Sequence, residues 1–225
     1  MKTSPRDLAL TRLLQLASPA LPVGAYSYSQ GLEAAVDAGI VRDAASAGRW
    51  IADILAFSMA RMEAPVFLRL SAAWRADDAA AALRWNTLFL ASRESAELRA
   101  ETAQMGYSLV RLLSELGADG GPAAWEEVSF PAAFAYAVAH WKIDAHEALI
   151  AYLRAWCENQ VMAAVRAVPL GQTAGQKMLL ALGERLPAVA AEAGALADDA
   201  LGNYAPGLAL LSARHETQYS RIFRS

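Results

Sequence analysis

The stretch SAELRAETAQMGYSLVRLLSEL (Ser95–Leu116) is the clearest secondary-structure signal in this chain of 225 residues. Its apolar residues recur every three or four positions, as they do on one face of an α-helix. They are Leu98, Met105, Leu109, Leu112 and Leu116. On both sides of the stretch the sequence is rich in Ala, Leu and Arg, which favour helices, and poor in β-branched residues. The sequence therefore predicts an all-α fold.

The composition excludes several classes of protein. Net charge is -3, from 20 basic and 23 acidic residues without a long block of either sign, which argues against nucleic acid as a partner. The longest apolar run, Phe130 to Ala139, is far shorter than the roughly 20 residues of a membrane span. The N-terminus carries charges where a signal peptide has an apolar block. We expect a cytoplasmic protein with no membrane partner and, since Cys157 is the only cysteine, no intrachain disulfide.

Residues that favour turns and caps divide the chain into helices. Ser27 and Gln30 have the spacing of a capping box for a helix that runs to Asp37. Asp43 begins a longer helix, which Pro65 is expected to break or kink. The loop GADGGP is the strongest break, yet the composition is alike on its two sides. We predict a single-domain bundle of roughly eight to ten helices over residues 1–225.

The histidines raise the possibility of a metal site. His140, Asp144 and Glu147 would share one face of a continuous helix. However, Asp144 and Glu147 also have capping-box spacing, and an N-cap at Asp144 would end that continuity. A small helical protein that binds a metal or ligand through His140 or His146 stays open as an alternative.

No catalytic motif is present. GQTAGQKM (Gly171–Met178) lacks the Gly-Lys-Ser/Thr ending of a phosphate-binding loop. Ser27 and Ser29 do not lie in a Gly-x-Ser-x-Gly turn. We therefore expect neither an enzyme nor a bound cofactor.

The C-terminal tail, residues 212–225, has an unusual composition. It reads SARHETQYSRIFRS and holds Tyr, Phe and several Arg, the residue types enriched at protein interfaces. The tail either folds back on its own core, is disordered, or docks on a partner.

Four motifs together give a resemblance to the UreF family of urease accessory proteins. They are LASPALPVGAYSYSQGLE, SFPAAF, VRAVPLGQTAGQ and RHETQYSRIFRS, in this order along the chain. The resemblance implies an all-α, non-enzymatic assembly factor for the nickel site of urease. It also implies binding to the accessory protein UreD (also called UreH) and to the GTPase UreG, action on the urease apoprotein through that complex, and pairing as a homodimer. An influence on GTP hydrolysis and a nickel path through the assembly are further implications.

The resemblance also carries partner-binding residues onto three motifs. The N-terminal signature contributes Tyr26, Ser27, Gln30, Gly31 and Glu33. The Pro-Leu-Gly-Gln turn contributes Gln172, Gly175 and Gln176. The tail contributes Arg214, His215, Glu216, Tyr219, Arg221, Phe223 and Arg224, and we expect it to become ordered on UreD. A third possibility is that one arginine stimulates the GTPase as an arginine finger.

Overall fold

The computed structural model describes residues 4–225; residues 1–3 of the predicted domain lie outside them. It contains eleven α-helices, and no strand occurs within the described range. The helices are α1 (Pro5–Leu16), α2 (Leu32–Asp37), α3 (Ala44–Ile54), α4 (Ala64–Arg75), α5 (Ala79–Ala91), α6 (Ala96–Glu115), α7 (Phe130–His140), α8 (Ala145–Ala167), α9 (Gln172–Gly183), α10 (Leu186–Ala195) and α11 (Pro206–His215). They form one helical domain, which confirms the predicted fold class.

A π-helical segment, Leu55–Glu63, joins α3 to α4 without a break. When α3, the π-helical segment and α4 are counted as one continuous helix, the number of helices falls from eleven to ten, which is within the predicted range. Of the predicted break or kink at Pro65, the break does not occur, because the altered turn leads into a helix that has proline in its first turn. Proline has no N–H to offer the carbonyl of Arg61, four residues earlier. That carbonyl accepts a hydrogen bond from the Gly202 N–H instead, at 3.2 Å.

Aromatic side chains of α4, α7 and α8 form the centre of the core. Phe67 is fully buried, and its ring centroid lies 5.9 Å from that of Phe134 and 5.2 Å from that of Tyr152. Phe130 completes this aromatic core, 5.8 Å from Phe134. Helix α6 approaches the start of α7 so closely that a Cβ at Gly106 would lie 2.0 Å from the Val128 carbonyl oxygen. The close contact between α6 and the start of α7 therefore requires glycine at this position.

Three predicted helix boundaries are confirmed. Asp43 and Ser46 form a reciprocal capping box at the start of α3, and Ser95 accepts the Leu98 N–H at the start of α6. The Asp144 carboxylate caps α8 by accepting the backbone N–H groups of His146 and Glu147 at 2.9 Å. These caps depend on neighbouring residues alone, which is why spacing predicts them.

The predicted capping box at Ser27 and Gln30 is wrong. Ser27 ends a short 3-10 turn, and α2 begins after Gly31, whose φ of 76° is left-handed. Gln30 is also left-handed, with φ of 53°, so two consecutive residues reverse the chain before the helix. The Gln30 side chain is drawn away to partners on α6 and α8. Ser29 supports α2 instead, by accepting the Glu33 N–H at 3.3 Å.

None of the helices within residues 4–225 has both the length and the apolar character that crossing a membrane requires.

Candidate functional site

The C-terminal tail folds back onto the N-terminal signature. The Arg224 N–H donates to the Ser27 carbonyl, and the Ser29 N–H donates to the Ser225 carbonyl, both at 2.8 Å. The Ser29 hydroxyl also donates to the Ser225 carbonyl, at 2.6 Å. Phe223 and Ser225 are buried. The expectation that the tail becomes ordered only on a partner is therefore wrong, because these hydrogen bonds order it within its own chain.

Glu33 on α2 binds the backbone of the tail. Its carboxylate accepts the backbone N–H groups of Ile222, at 2.6 Å, and Phe223, at 2.9 Å. His215, which is fully buried, lies with Nε2 3.2 Å from the Glu33 carboxylate and Nδ1 2.6 Å from that of Glu97. Arg221 also pairs with Glu97, at 2.6 Å. One imidazole between two carboxylates thus joins α2, α6 and α11.

Glu101, one turn after Glu97 on α6, joins the same contact. It accepts hydrogen bonds from the Gln30 amide and the Ser225 hydroxyl, both at 2.7 Å. The Trp156 indole N–H on α8 donates to the Gln30 oxygen at 2.7 Å, which fixes the amide orientation. Burial raises the pKa of Glu101 to about 7. We refer to Glu33, Glu97, Glu101 and His215, with the tail backbone that they hold, as the polar seam.

Helix α8 supports the outer side of the N-terminal signature. Asn159 donates to the Tyr28 carbonyl at 3.1 Å, and Arg166 donates to the Tyr26 carbonyl at 3.0 Å. The Arg166 guanidinium also lies 4.7 Å from the centre of the Phe223 ring. Signature and tail are therefore held against one helix as well as against each other.

Comparison with known proteins identifies the family of this chain. The family model described as UreF matches residues 41–183. A urease accessory protein UreF from Azoarcus sp. (strain BH72) is 57% identical, with 100% of both chains covered. One from Dechloromonas aromatica (strain RCB) is 54% identical over 97% of this chain and 98% of its own. The chain belongs to the UreF family. It is a urease accessory protein that acts in urease maturation, and is not an enzyme.

A fusion in the UreF family is also informative. The bifunctional urease accessory protein UreEF of Bordetella bronchiseptica is 53% identical over 96% of this chain, which spans 52% of that protein. In that relative a UreF-like region and a second accessory function share one polypeptide, as its name indicates.

The residues carried over from UreF separate into two groups in the structure. Buried or half-buried members build the polar seam and the packing beside it: Ser27, Gln30, Gly31, Glu33, Gly175, His215 and Phe223. The exposed members are Tyr26, Gln172, Gln176, Arg214, Glu216, Tyr219, Arg221 and Arg224. The side chains of Tyr26 and Tyr219 are 69% and 105% exposed, respectively. Their role in binding stays a prediction.

The glutamine-rich turn lies on α9 rather than in the polar seam. Gly175 is buried, and a Cβ there would lie 3.0 Å from a Val165 methyl group on α8. Gln172 and Gln176 are exposed on the same helix, one turn apart. The glycine thus serves close helix packing, while the two glutamines face outward.

The alternative site at His140 and His146 gains no support from geometry. Both histidines are exposed, and the N-cap at Asp144 separates their helices. Within residues 4–225, no group of three His, Cys, Asp or Glu side chains is placed to hold a metal ion.

The acidic half of the polar seam was not evident from sequence spacing. Glu97 and Glu101 do not have the spacing of paired catalytic carboxylates, and in the structure both contact the tail. One signal does exist: Glu101 lies between Leu98 and Met105 on the apolar stripe of α6. A carboxylate on such a stripe is expected to have a buried partner.

Proposed function

We propose that this chain is an assembly scaffold for nickel insertion into urease, which binds UreD and recruits UreG. In this proposal it works as a homodimer within the complex, acts on the urease apoprotein through it, and influences GTP hydrolysis by UreG. The observation that carries the proposal is an ordered seam that presents exposed tyrosine and arginine side chains, the types that dominate protein interfaces.

The tail is the proposed site for UreD. Tyr219 projects fully into solvent, and Arg214, Arg221 and Arg224 are also exposed. Because the backbone of the tail is already fixed by Glu33 and Ser29, a partner would not have to order it. A preorganised surface loses less conformational entropy on binding, which favours affinity.

The outer face of α9 is the proposed site for UreG. Gln172 and Gln176 are exposed there, and Leu180, one turn further, is 71% exposed. An exposed leucine beside two uncharged amides gives an apolar centre with hydrogen-bonding neighbours, as in many interfaces.

Substitutions on the tail test the UreD site. Truncation before Arg214 is unsuitable, because it would remove the partners of Glu33 and Glu101. Instead, Arg214→Ala combined with Tyr219→Ala changes only exposed side chains, and we expect at least a tenfold loss of co-purification with UreD. The melting temperature should stay that of the parent chain. Tyr107→Ala, an exposed tyrosine on α6, is the matched control. Full recovery of UreD by the double variant would contradict the assignment.

The same co-purification assay with UreG tests α9. We expect Gln176→Ala to weaken recovery of UreG while UreD is retained, and Gln104→Ala, an exposed glutamine on α6, to change neither. Loss of both partners from Gln176→Ala would indicate a general defect rather than a UreG site.

A further inference from the structure

A cavity of about 320 Å³ lies beneath the N-terminal signature, between the loop after α1 and helices α6, α7 and α8. Apolar side chains, including Leu16, Met105 and Phe130, form much of its wall. Its lining also includes Tyr26 and Met162, which are 69% and 38% exposed and mark its opening to solvent. A concave apolar site of this volume, with a few polar groups, is typical of a small-molecule pocket.

The polar residues of the lining include Glu63, Arg93, Glu101 and Tyr152, together with Gln30, Thr102, Glu158 and Arg166. Glu63 is already paired, since it accepts the Tyr152 hydroxyl at 2.5 Å and lies 3.4 Å from Arg93. Within residues 4–225, Glu101 accepts hydrogen bonds only from neutral donors, the Gln30 amide and the Ser225 hydroxyl. Among these described residues, Glu101 therefore has no directly paired cation.

We propose that this cavity binds a small primary ammonium ion with an apolar body, which places its cation at Glu101 and its body against Leu16, Met105 and Phe130. Each oxygen of a carboxylate can accept a second hydrogen bond, so an ammonium group adds to the present contacts of Glu101. The apolar wall disfavours a hydrated metal ion, and a carboxylate ligand placed at Glu101 would meet the carboxylates of Glu101 and Glu63, with Arg93 already paired to Glu63.

The ionisation of Glu101 gives the proposed binding a pH signature. Its pKa is raised to about 7, chiefly by burial, so an ammonium ligand should favour and bind the deprotonated form. Since alkylammonium ions stay protonated well above pH 8, affinity should rise about tenfold between pH 6 and pH 8. The other ionisable groups that act on Glu101 are Glu63, Arg93, Tyr28 and Tyr152, with Arg224 beside Tyr28.

Calorimetric titration of the full chain with n-hexylammonium, n-hexanol and n-hexanoate tests the proposal. We expect hexylammonium to bind at least about tenfold more tightly than hexanol at pH 8, a difference of about 1.4 kcal/mol, and hexanoate to bind most weakly. Glu101→Gln should remove that preference and the pH dependence, yet keep hexanol binding. Glu115→Gln, an exposed residue of α6, is the matched control and should bind like the parent chain.

A second variant tests the place of binding. Ala155→Leu on α8 would fill part of the cavity and should weaken hexylammonium and hexanol alike. Equal affinity for hexylammonium and hexanol in the parent chain would overturn the proposal, as would undiminished hexylammonium binding by either cavity variant. If Glu101→Gln does not fold, the pH series on the parent chain decides: a flat profile for hexylammonium overturns the proposal, and a tenfold rise supports it.

Discussion

The aromatic core and the polar seam are both buried, but they hold the chain together by different means. Around Phe67 the contacts are between rings of α4, α7 and α8. Around Glu33 and Glu101 they are hydrogen bonds from backbone, imidazole, amide and hydroxyl groups that come from both ends of the chain. The first region depends on the apolar area removed from water, and the second on exact pairing of donors with acceptors.

This difference predicts different responses to change. An apolar core loses stability in proportion to the volume removed, at any pH. A seam built on carboxylates loses or gains stability with protonation, because the charge of each carboxylate depends on pH. In the polar seam, a change of pH as well as a substitution is therefore expected to change the stability of the chain.

Phe67→Ala should give the largest effect. It removes a fully buried ring that contacts Phe134 and Tyr152, and we expect a loss of about 4 kcal/mol in the free energy of unfolding. Phe57→Ala is the control, since Phe57 lies in the π-helical segment that continues into α4 but is 52% exposed. Urea unfolding of both variants measures the contrast. Similar losses of unfolding free energy in the two variants would show that the aromatic core is not the main apolar core.

Glu101→Gln should give the next largest effect, visible as a change in pH dependence. Because the pKa of Glu101 rises from 4.5 to about 7 on folding, the folded chain binds the proton more tightly than the unfolded chain does. This contribution is fully present below pH 4.5 and is lost as pH rises towards 7. At about 1.4 kcal/mol per pKa unit, the loss amounts to about 3 kcal/mol.

Urea unfolding of the parent chain and of Glu101→Gln between pH 4.5 and 7.5 checks this expectation. Glutamine resembles the protonated acid: its oxygen can face Gln30, and its amide can donate to the Ser225 hydroxyl. The variant should therefore gain stability relative to the parent as pH rises. Titrating groups that do not act on Glu101 contribute equally to both proteins, so parallel pH profiles would remove Glu101 as the cause.

The helices could be predicted from sequence because their signals are local. The apolar stripe of α6 and the caps at Asp43 and Asp144 depend on residues within one or two turns. The capping box that failed at Gln30 and the break that Pro65 does not cause both have reasons distant in sequence. Pro65 is accommodated by a π-helical segment whose Arg61 carbonyl bonds to Gly202, and Gln30 turns to Glu101 rather than to a cap.

The polar seam could be predicted only as a set of motifs, without its contacts. The resemblance to UreF indicated Glu33 and His215. Glu97 and Glu101, which complete the polar seam, belong to none of the four UreF motifs. Ile222 and Glu33 are 189 residues apart, and no spacing rule covers such a distance. The N-terminal motif also does not predict which of its side chains are buried: Tyr26 and Tyr28 are two residues apart, yet only Tyr28 is buried.

Tyr26→Ala should have the smallest effect on stability and a large effect on partner binding. Its side chain is 69% exposed, and the hydrogen bond from Arg166 reaches its backbone carbonyl, which alanine retains. We expect a change in the free energy of unfolding below about 0.5 kcal/mol. Tyr28→Ala is the contrasting variant, because it removes a buried ring two residues away. Loss of UreD or UreG from Tyr26→Ala at unchanged melting temperature would establish the signature as a recognition surface. Retention of both partners would leave it a connector that the seam holds in place.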